Sequence, residues 1–228
     1  MRGGGIALVG FLGSFGAAIV VGLVLDAVGV DALLTFVLAQ VVAWSGLLIA
    51  CRTAVRRHAG GSLRDLGLHQ LSRADVWLGV KSGLALRLGS ILIAIVVISA
   101  FGSNLGGDPS VSRGIDLDGI AIIGIAIVVI GAPFFEELFF RGLVQGVLIR
   151  RWGARKAVFA QAALFAVVHL WPTMSAGQLV LGFSTIMFVG VYQGGLRWRH
   201  KRLGPSMASH GVFNLTGVLL FLAVNGTN

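Results

Sequence analysis

Long runs without a single Asp, Glu, Lys or Arg dominate this chain, over 3–25, 32–51, 88–107, 119–135, 157–196 and 203–228. A helix needs about 20 apolar residues to cross the hydrocarbon core of a bilayer, so each run is long enough to hold most of a span. The 157–196 run holds two, divided near Trp171, Pro172 and Thr173. Pro172 supplies the break because it lacks a backbone N–H and disfavours helix in the residue before it. Spans are expected over 5–25, 32–51, 76–101, 118–149, 156–170, 176–196 and 203–224. The expected fold is an all-α polytopic membrane bundle of about seven transmembrane helices. Charged residues make up 12% of the chain, roughly half the share usual in a soluble domain. Too little polar surface remains for a soluble nucleic-acid-binding face, so the expected partner is the lipid bilayer of a cell membrane.

The charges that do occur orient the bundle. The chain has 18 Lys+Arg against 9 Asp+Glu. Arg52, Arg56, Arg57, Arg64 and Arg73 lie between the second and third spans, with Arg150, Arg151, Arg155 and Lys156 between the fourth and fifth. Arg197, Arg199, Lys201 and Arg202 fill the last loop, whereas the alternate loops carry Asp26 and Asp31, then Asp108, Arg113 and Asp116. Positive loops mark the cytoplasmic side, so the N-terminus is expected inside. The first span follows Arg2 but is too long for a signal-peptide core and lacks a small-residue cleavage pattern after it. Lys81 and Arg87 make the third span the least regular: they either snorkel or mark an interfacial start. Gly142 and Gly146 form a GxxxG pair, which indicates helix contact. The lone Cys51 excludes a disulfide framework.

Seven of the nine acidic residues fall in loops or at span edges; the other two, Glu136 and Glu137, are adjacent inside GAPFFEELFFRGLV. A charge at mid-bilayer costs at least about 2.5–3.5 kcal/mol, so a pair of them requires a reason. Arg141 follows Glu137 by four positions and shares its helix face. Glu136 is turned about 100° away and lacks that in-helix partner, which leaves it available as a general base. Pro133 is expected to bend the span just before both carboxylates. His58, His69 and His200 lie in basic loops, whereas His169 ends the fifth span and His210 opens the seventh, with Asn214 one turn later on the same face. Counting 1.5 Å per residue from the cytoplasmic charges puts Glu136, His169 and Asn214 at about 18–21 Å depth. His210 comes out shallower, at about 12 Å, within side-chain reach of that layer.

Such a set suits hydrolysis. Glu136 takes a proton from water, His169 positions or polarises it, and His210 with Asn214 donates to the oxyanion of a tetrahedral intermediate. Alternatively Glu136, His169 and His210 hold Zn²⁺. The metal-free route is preferred, because His210 is the shallower residue and Asn214 is a better oxyanion donor than zinc ligand. Two other classes keep the same residues: a proton- or cation-coupled transporter, and a non-catalytic scaffold or immunity protein that uses them for packing. No HExxH, GxSxG or mid-span Asp pair is present.

Glu136-Glu137-x-x-x-Arg141, Phe165-x-x-x-His169 and His210-x-x-x-Asn214 follow one another on successive apolar helices. In this the chain resembles the CPBP family of intramembrane proteases, which includes the type II CAAX prenyl endopeptidases and the bacteriocin self-immunity (Abi) proteins. The resemblance covers 118–224, a catalytic helix core, and leaves 1–117 as variable N-terminal helices with a basic cytoplasmic loop. It implies peptide-bond hydrolysis near the C-terminus of a prenylated CAAX protein or another membrane-associated peptide. The implied roles are Glu136 activating water, His169 assisting, His210 and Asn214 as oxyanion donors, and Glu137 with Arg141 as a supporting pair. The family is often described as metalloprotease, and a metal-free glutamate mechanism is also proposed for it.

Overall fold

The computed structural model describes residues 2–57, 61–102, 119–171 and 173–225. His58, the Pro172 break and most of the external loop expected at 102–117 lie outside the described residues. Helix α1 spans Arg2–Ala27 and α2 Ala32–Arg56. Asp31 caps α2 by accepting from the backbone N–H groups of Leu33 and Leu34, at 3.0 Å each. These two orphan donors need an oxygen at the start of any helix. Helix α3 runs unbroken from Arg73 to Phe101 behind a Ser72/Asp75 capping box, so Lys81 and Arg87 belong to one continuous rod with no separate interfacial piece.

The fourth rod changes its hydrogen-bond register along its length. α-Helix over Gly119–Ala126 (α4) gives way to π-helix over Ile127–Gly131, α-helix over Ala132–Glu136 (α5), π-helix over Glu137–Val144, and α-helix over Gln145–Trp152 (α6). π turns appear as local insertions within α-helices and concentrate at functional sites. Here the first one absorbs Pro133. The kink expected at Pro133 thus takes the form of a change of register around it.

After α6 come α7 (Ala154–Val167), α8 (Ala176–His200) and α9 (Gly204–Asn225). Among the described residues, six helical stretches are long and apolar enough to cross a membrane: Gly4–Ala27, Ala32–Arg56, Arg73–Phe101, Ile122–Trp152, Ala176–His200 and Gly204–Val224. This is a multi-pass membrane protein built as a helix bundle. The span expected over 156–170 is a helix of 14 residues, about 21 Å long and short of the roughly 30 Å core. It pairs with α8 as a hairpin, so it enters from the basic face and α8 returns to it, and the charge pattern of the loops is preserved.

Small residues set the closest approaches. On α3, Gly79 abuts Ala208 and Ser209, Gly83 abuts Val212, and a Cβ at Gly79 would overlap Ala208. Gly204, where α9 begins, sits against the Asp75 carboxylate. α3 and α9 therefore run side by side in the same direction, in register every fourth residue. α1 and α2 approach through Gly10 against Ala50 and Gly46 against Ser14. The expected Gly142/Gly146 pair behaves differently. A Cβ added at Gly142 would lie 3.1 Å from Leu66 Cβ, and one at Gly146 would meet only the Arg150 side chain, at 3.9 Å.

The basic face is tied down by its arginines. A 3-10 turn over Leu63–Leu66 ends at Gly67, whose φ of 92° is in the left-handed region open to glycine. The Leu203 N–H donates to the Gly67 carbonyl at 2.8 Å, and Arg197 donates to the Leu66 carbonyl at 3.1 Å. Arg202 pairs with Asp75 at 2.6 Å. These contacts hold the start of α9, and with it Ser206, Ser209 and His210, at a fixed height against α3.

Candidate active site

Three rods bring the expected site residues together. Glu136 closes α5, Glu137 and Arg141 lie in the π turn that follows, His169 sits just past α7, and His210 lies in α9. Both imidazoles aim Nε2 at the same oxygen: His169 Nε2 is 3.9 Å and His210 Nε2 is 4.0 Å from Glu136 Oε2. The depth estimate placed His210 one turn too shallow because it measured every helix from its nearest charge. Leu203, Pro205 and Ser206 are fully buried, so α9 begins inside the bundle, under the Leu63–Gly67 segment to which Leu203 bonds.

Their partners define the tautomers. His169 Nδ1 lies 2.6 Å from the Phe165 carbonyl oxygen. A carbonyl only accepts, so Nδ1 carries the hydrogen and the neutral ring presents a bare Nε2. His210 Nδ1 lies 3.0 Å from Glu137 Oε1, and that carboxylate is itself paired with Arg141 at 3.1 Å. An ionised carboxylate is again acceptor only, so His210 also carries its hydrogen on Nδ1. With both rings neutral, the two Nε2 atoms and the Glu136 carboxylate are all acceptors facing one another.

Glu137 and Arg141 form the expected i, i+4 pair, with both side chains fully buried. The pair reaches further than sequence spacing indicates, because Glu137 also receives the His210 hydrogen while Arg141 donates to Gln193 Oε1 at 2.9 Å. The Arg141 guanidinium lies 4.0 Å from the centre of the Phe165 ring, and the same ring meets His169 at 4.5 Å and His210 at 5.9 Å. Phe165 thus meets these three neighbours and Phe140 with its ring, and His169 again with its carbonyl.

Asn214 has a partner that its sequence position does not reveal. Its Nδ2 donates to the Val128 carbonyl at 2.8 Å. In the π turn before it, the Ala132 N–H bonds back five residues to the Ile127 carbonyl. The next bond of that register would join residue 133 to Val128, but residue 133 is proline and has no N–H. Asn214 supplies the missing donor from across the bundle. Gly211 lets α9 come this close, since a Cβ there would lie 3.1 Å from the Val129 carbonyl oxygen. One amide hydrogen of Asn214 stays uncommitted by this bond.

Three glutamines escaped the sequence reading. Gln145, Gln161 and Gln193 are fully buried. Gln145 donates to the Gly194 carbonyl and Gln161 to the Gly190 carbonyl, both at 2.9 Å. They join α6 and α7 to α8 next to the Arg141–Gln193 bond. The signal was present: Gln161, Phe165 and His169 recur at four-residue spacing, and Gln145 follows Arg141 by four. A neutral amide in an apolar span is rarer than its modest polarity suggests, by the same argument that singled out the glutamates.

Residues 118–216 match the family described as Type II CAAX prenyl endopeptidase Rce1-like. The match starts at the rod that carries Glu136 and ends two residues past Asn214, so it takes in all three motifs and the contacts among Glu136, Glu137, Arg141, His169, His210 and Asn214. Over this stretch the chain is similar to that family of membrane proteases. No curated protein and no solved structure matches the chain.

Proposed function

We propose that this protein is an intramembrane endopeptidase that hydrolyses a peptide bond near the C-terminus of a prenylated CAAX protein or a similar membrane-associated peptide. The observation that carries the reading is the convergence of His169 Nε2 and His210 Nε2 on Glu136 Oε2, at 3.9 and 4.0 Å. Acceptors cannot bond one another, and these separations exceed a hydrogen bond. A water molecule between Glu136 and His169 supplies the missing donors, giving one O–H to each and turning a lone pair toward the substrate carbonyl. Glu136 takes the water proton as the oxygen attacks, and the tetrahedral intermediate forms with its charge on the former carbonyl oxygen. The second amide hydrogen of Asn214 stabilises that charge, as does His210 when a proton taken up from solvent before the attack occupies its Nε2. Glu137 accepts the His210 Nδ1 hydrogen and so fixes the ring with Nε2 toward the site, and Arg141 pairs with Glu137. Collapse expels the amine, which receives the proton from Glu136 and leaves as the shorter fragment.

A metal-free course is supported by the same spacing. Ligand atoms held about 2.0–2.2 Å from a tetrahedral zinc lie about 3.4 Å apart. The Glu136–His169 and Glu136–His210 separations are wider, and among the described residues no group of three or more His, Cys, Asp or Glu is arranged to hold an ion. As placed, Glu136, His169 and His210 do not fit Zn²⁺.

The test uses the purified full chain in detergent with a quenched farnesylated CAAX peptide. Wild type is expected to cleave it with well under one equivalent of bound metal per chain. Glu136→Gln keeps the side-chain volume and removes the base, and is expected to lower the rate at least about a hundredfold with an unchanged melting temperature. Near wild-type cleavage by Glu136→Gln overturns the assignment. Stoichiometric zinc, with activity lost on its removal and restored on its return, overturns the metal-free course alone.

A further inference from the structure

Arg87 stands in the middle of α3, a cation within a membrane span, and the reading of the active site does not use it. Its Nε donates to Thr216 Oγ1 at 3.2 Å and its Nη2 to the Phe213 carbonyl at 2.5 Å. The guanidinium also stacks on the Phe213 ring, 4.0 Å from the centroid. Gly217 leaves room for it, since a Cβ there would lie 2.6 Å from Nη2. The head group is therefore held in one place by a hydroxyl, a carbonyl, a ring and a glycine gap. Yet no carboxylate pairs with it among the described residues, unlike Arg141 with Glu137 and Arg202 with Asp75. Five N–H donors in a fixed fork serve carboxylates well, and only two of them are committed here. A half-buried cation within a membrane span, with no counter-charge, is costly unless a ligand supplies one.

Arg87 also lines a cavity of about 420 Å³ between α2, the fourth rod and α9. Its other walls are apolar, from Leu33, Phe36, Ile125, Val218 and Phe221, with one exception: Asn214. The cavity thus adjoins the candidate active site, because Asn214 lies one turn past His210 on α9. The anchors of Arg87, Phe213 to Gly217, lie three to seven residues beyond His210 and hence about 4.5–10.5 Å farther from the basic face. An extended peptide advances about 3.3 Å per residue. A chain entering from the basic face, with its scissile carbonyl beside Glu136 and His210, therefore reaches the guanidinium about two or three residues later.

We infer that Arg87 binds the terminal carboxylate of the substrate, so that the cavity holds the last two or three residues and Arg87 makes the enzyme specific for bonds near a free C-terminus. This rests on the hydrolytic reading above and adds to it a residue outside all three motifs. The carboxylate neutralises the cation, and the apolar walls take the side chains of the leaving fragment. The contact is distant from the breaking bond and equal in ground and transition states, so it acts on KM more than on kcat.

The experiment compares two farnesylated CAAX peptides that differ only in ending as a free acid or a carboxamide. Cleavage by wild type is read as kcat/KM, and binding by fluorescence polarisation on the Glu136→Gln protein, with and without Arg87→Gln. Wild type is expected to prefer the acid by on the order of 10- to 100-fold, the range of a charge-assisted hydrogen bond. Arg87→Gln is expected to bring the ratio to about one through KM, while Arg87→Lys retains part of the preference. Gly217→Ala, which displaces the guanidinium without removing its charge, is expected to reduce the preference too. Cleavage without acid preference, or with a preference that survives Arg87→Gln, overturns the carboxylate site and leaves the hydrolytic reading standing. Acid-selective binding that depends on Arg87, with no cleavage by wild type, keeps the site and overturns the hydrolytic reading. A lower melting temperature for Arg87→Gln with an unchanged acid-to-amide ratio reduces Arg87 to a packing role. A phospholipid retained by wild type, lost from Arg87→Gln and unaccompanied by acid preference replaces the peptide carboxylate with a lipid phosphate. Both of these outcomes overturn the proposal.

Discussion

The α1–α2 pair and the core of fourth rod, α7 and α9 are both apolar helix packings, but they are held together differently. α1 and α2 meet through Gly10, Ala50, Gly46 and Ser14, and outward they show Leu8, Val9, Leu12 and Leu23, each at least 60% exposed in the isolated chain. Lipid covers that surface, so burial against protein adds little there, and van der Waals fit between small residues does most of the work. The core adds fully buried Glu137, Arg141, Gln145, Gln161 and Gln193, each bonded to a side chain or carbonyl on another helix. A polar atom in hydrocarbon is tolerable only when partnered, and several helices must be in place at once to partner all of these. The difference teaches where function can reside. Polar side chains of defined orientation require the dense, multi-helix environment that the core has and the N-terminal pair lacks.

The comparison breaks most readily at Arg141. Arg141→Ala leaves Glu137 buried without its cation and removes the Gln193 bond, and is expected to cost about 3–5 kcal/mol. The check is the unfolding midpoint in detergent; a wild-type midpoint means that the pair does not carry the core. The Asn214–Val128 bond is a smaller and sharper case. Asn214→Ala should cost about 1–3 kcal/mol, the penalty of an unpaired buried carbonyl. Pro133→Ala restores an N–H in the π register, so the cost of losing Asn214 should fall measurably in the Pro133→Ala background. A double-mutant cycle reads this directly, and strict additivity refutes the link between the proline and the asparagine. The smallest effect is expected on the other side of the comparison. Leu12→Ala, on the lipid face of α1, should change stability by no more than about 0.5 kcal/mol. A loss comparable to that of Asn214→Ala shows that this face packs against protein.

Much of the site was legible in the residues. Glu136 and Glu137 stood out because charge is expensive in a span, and the Glu137–Arg141 pair followed from the i, i+4 repeat. Counting along helices placed Glu136, His169 and Asn214 in one layer, and the structure brings Glu136, His169 and His210 together. Other features were beyond a helical-wheel argument. The π turns at Ile127–Gly131 and Glu137–Val144 shift the angular position of every residue after them, so the faces drawn from a uniform 3.6-residue repeat drift out of register. Arg87 read as an irregularity of the third span, because its anchors Phe213 and Thr216 are more than 120 positions away.

What the sequence by itself determined is the solvent and the chemistry available. Charge-free runs of span length require lipid, the alternation of basic and acidic loops sets the course of the chain, and two glutamates, two histidines and an arginine in apolar sequence supply the groups on which the proposed hydrolysis rests. Those are properties of composition and spacing along one dimension. Only the tertiary structure decided who meets whom: Glu137 serves His210 as well as Arg141, Asn214 repairs the backbone bond that Pro133 cannot make, and Arg87 faces a cavity beside Asn214. The physical reason is that a hydrogen bond depends on distance and direction between groups on different helices. Those are set by how each rod is rotated and how deeply it starts, which glycine contacts, a proline and the buried start of α9 settle together.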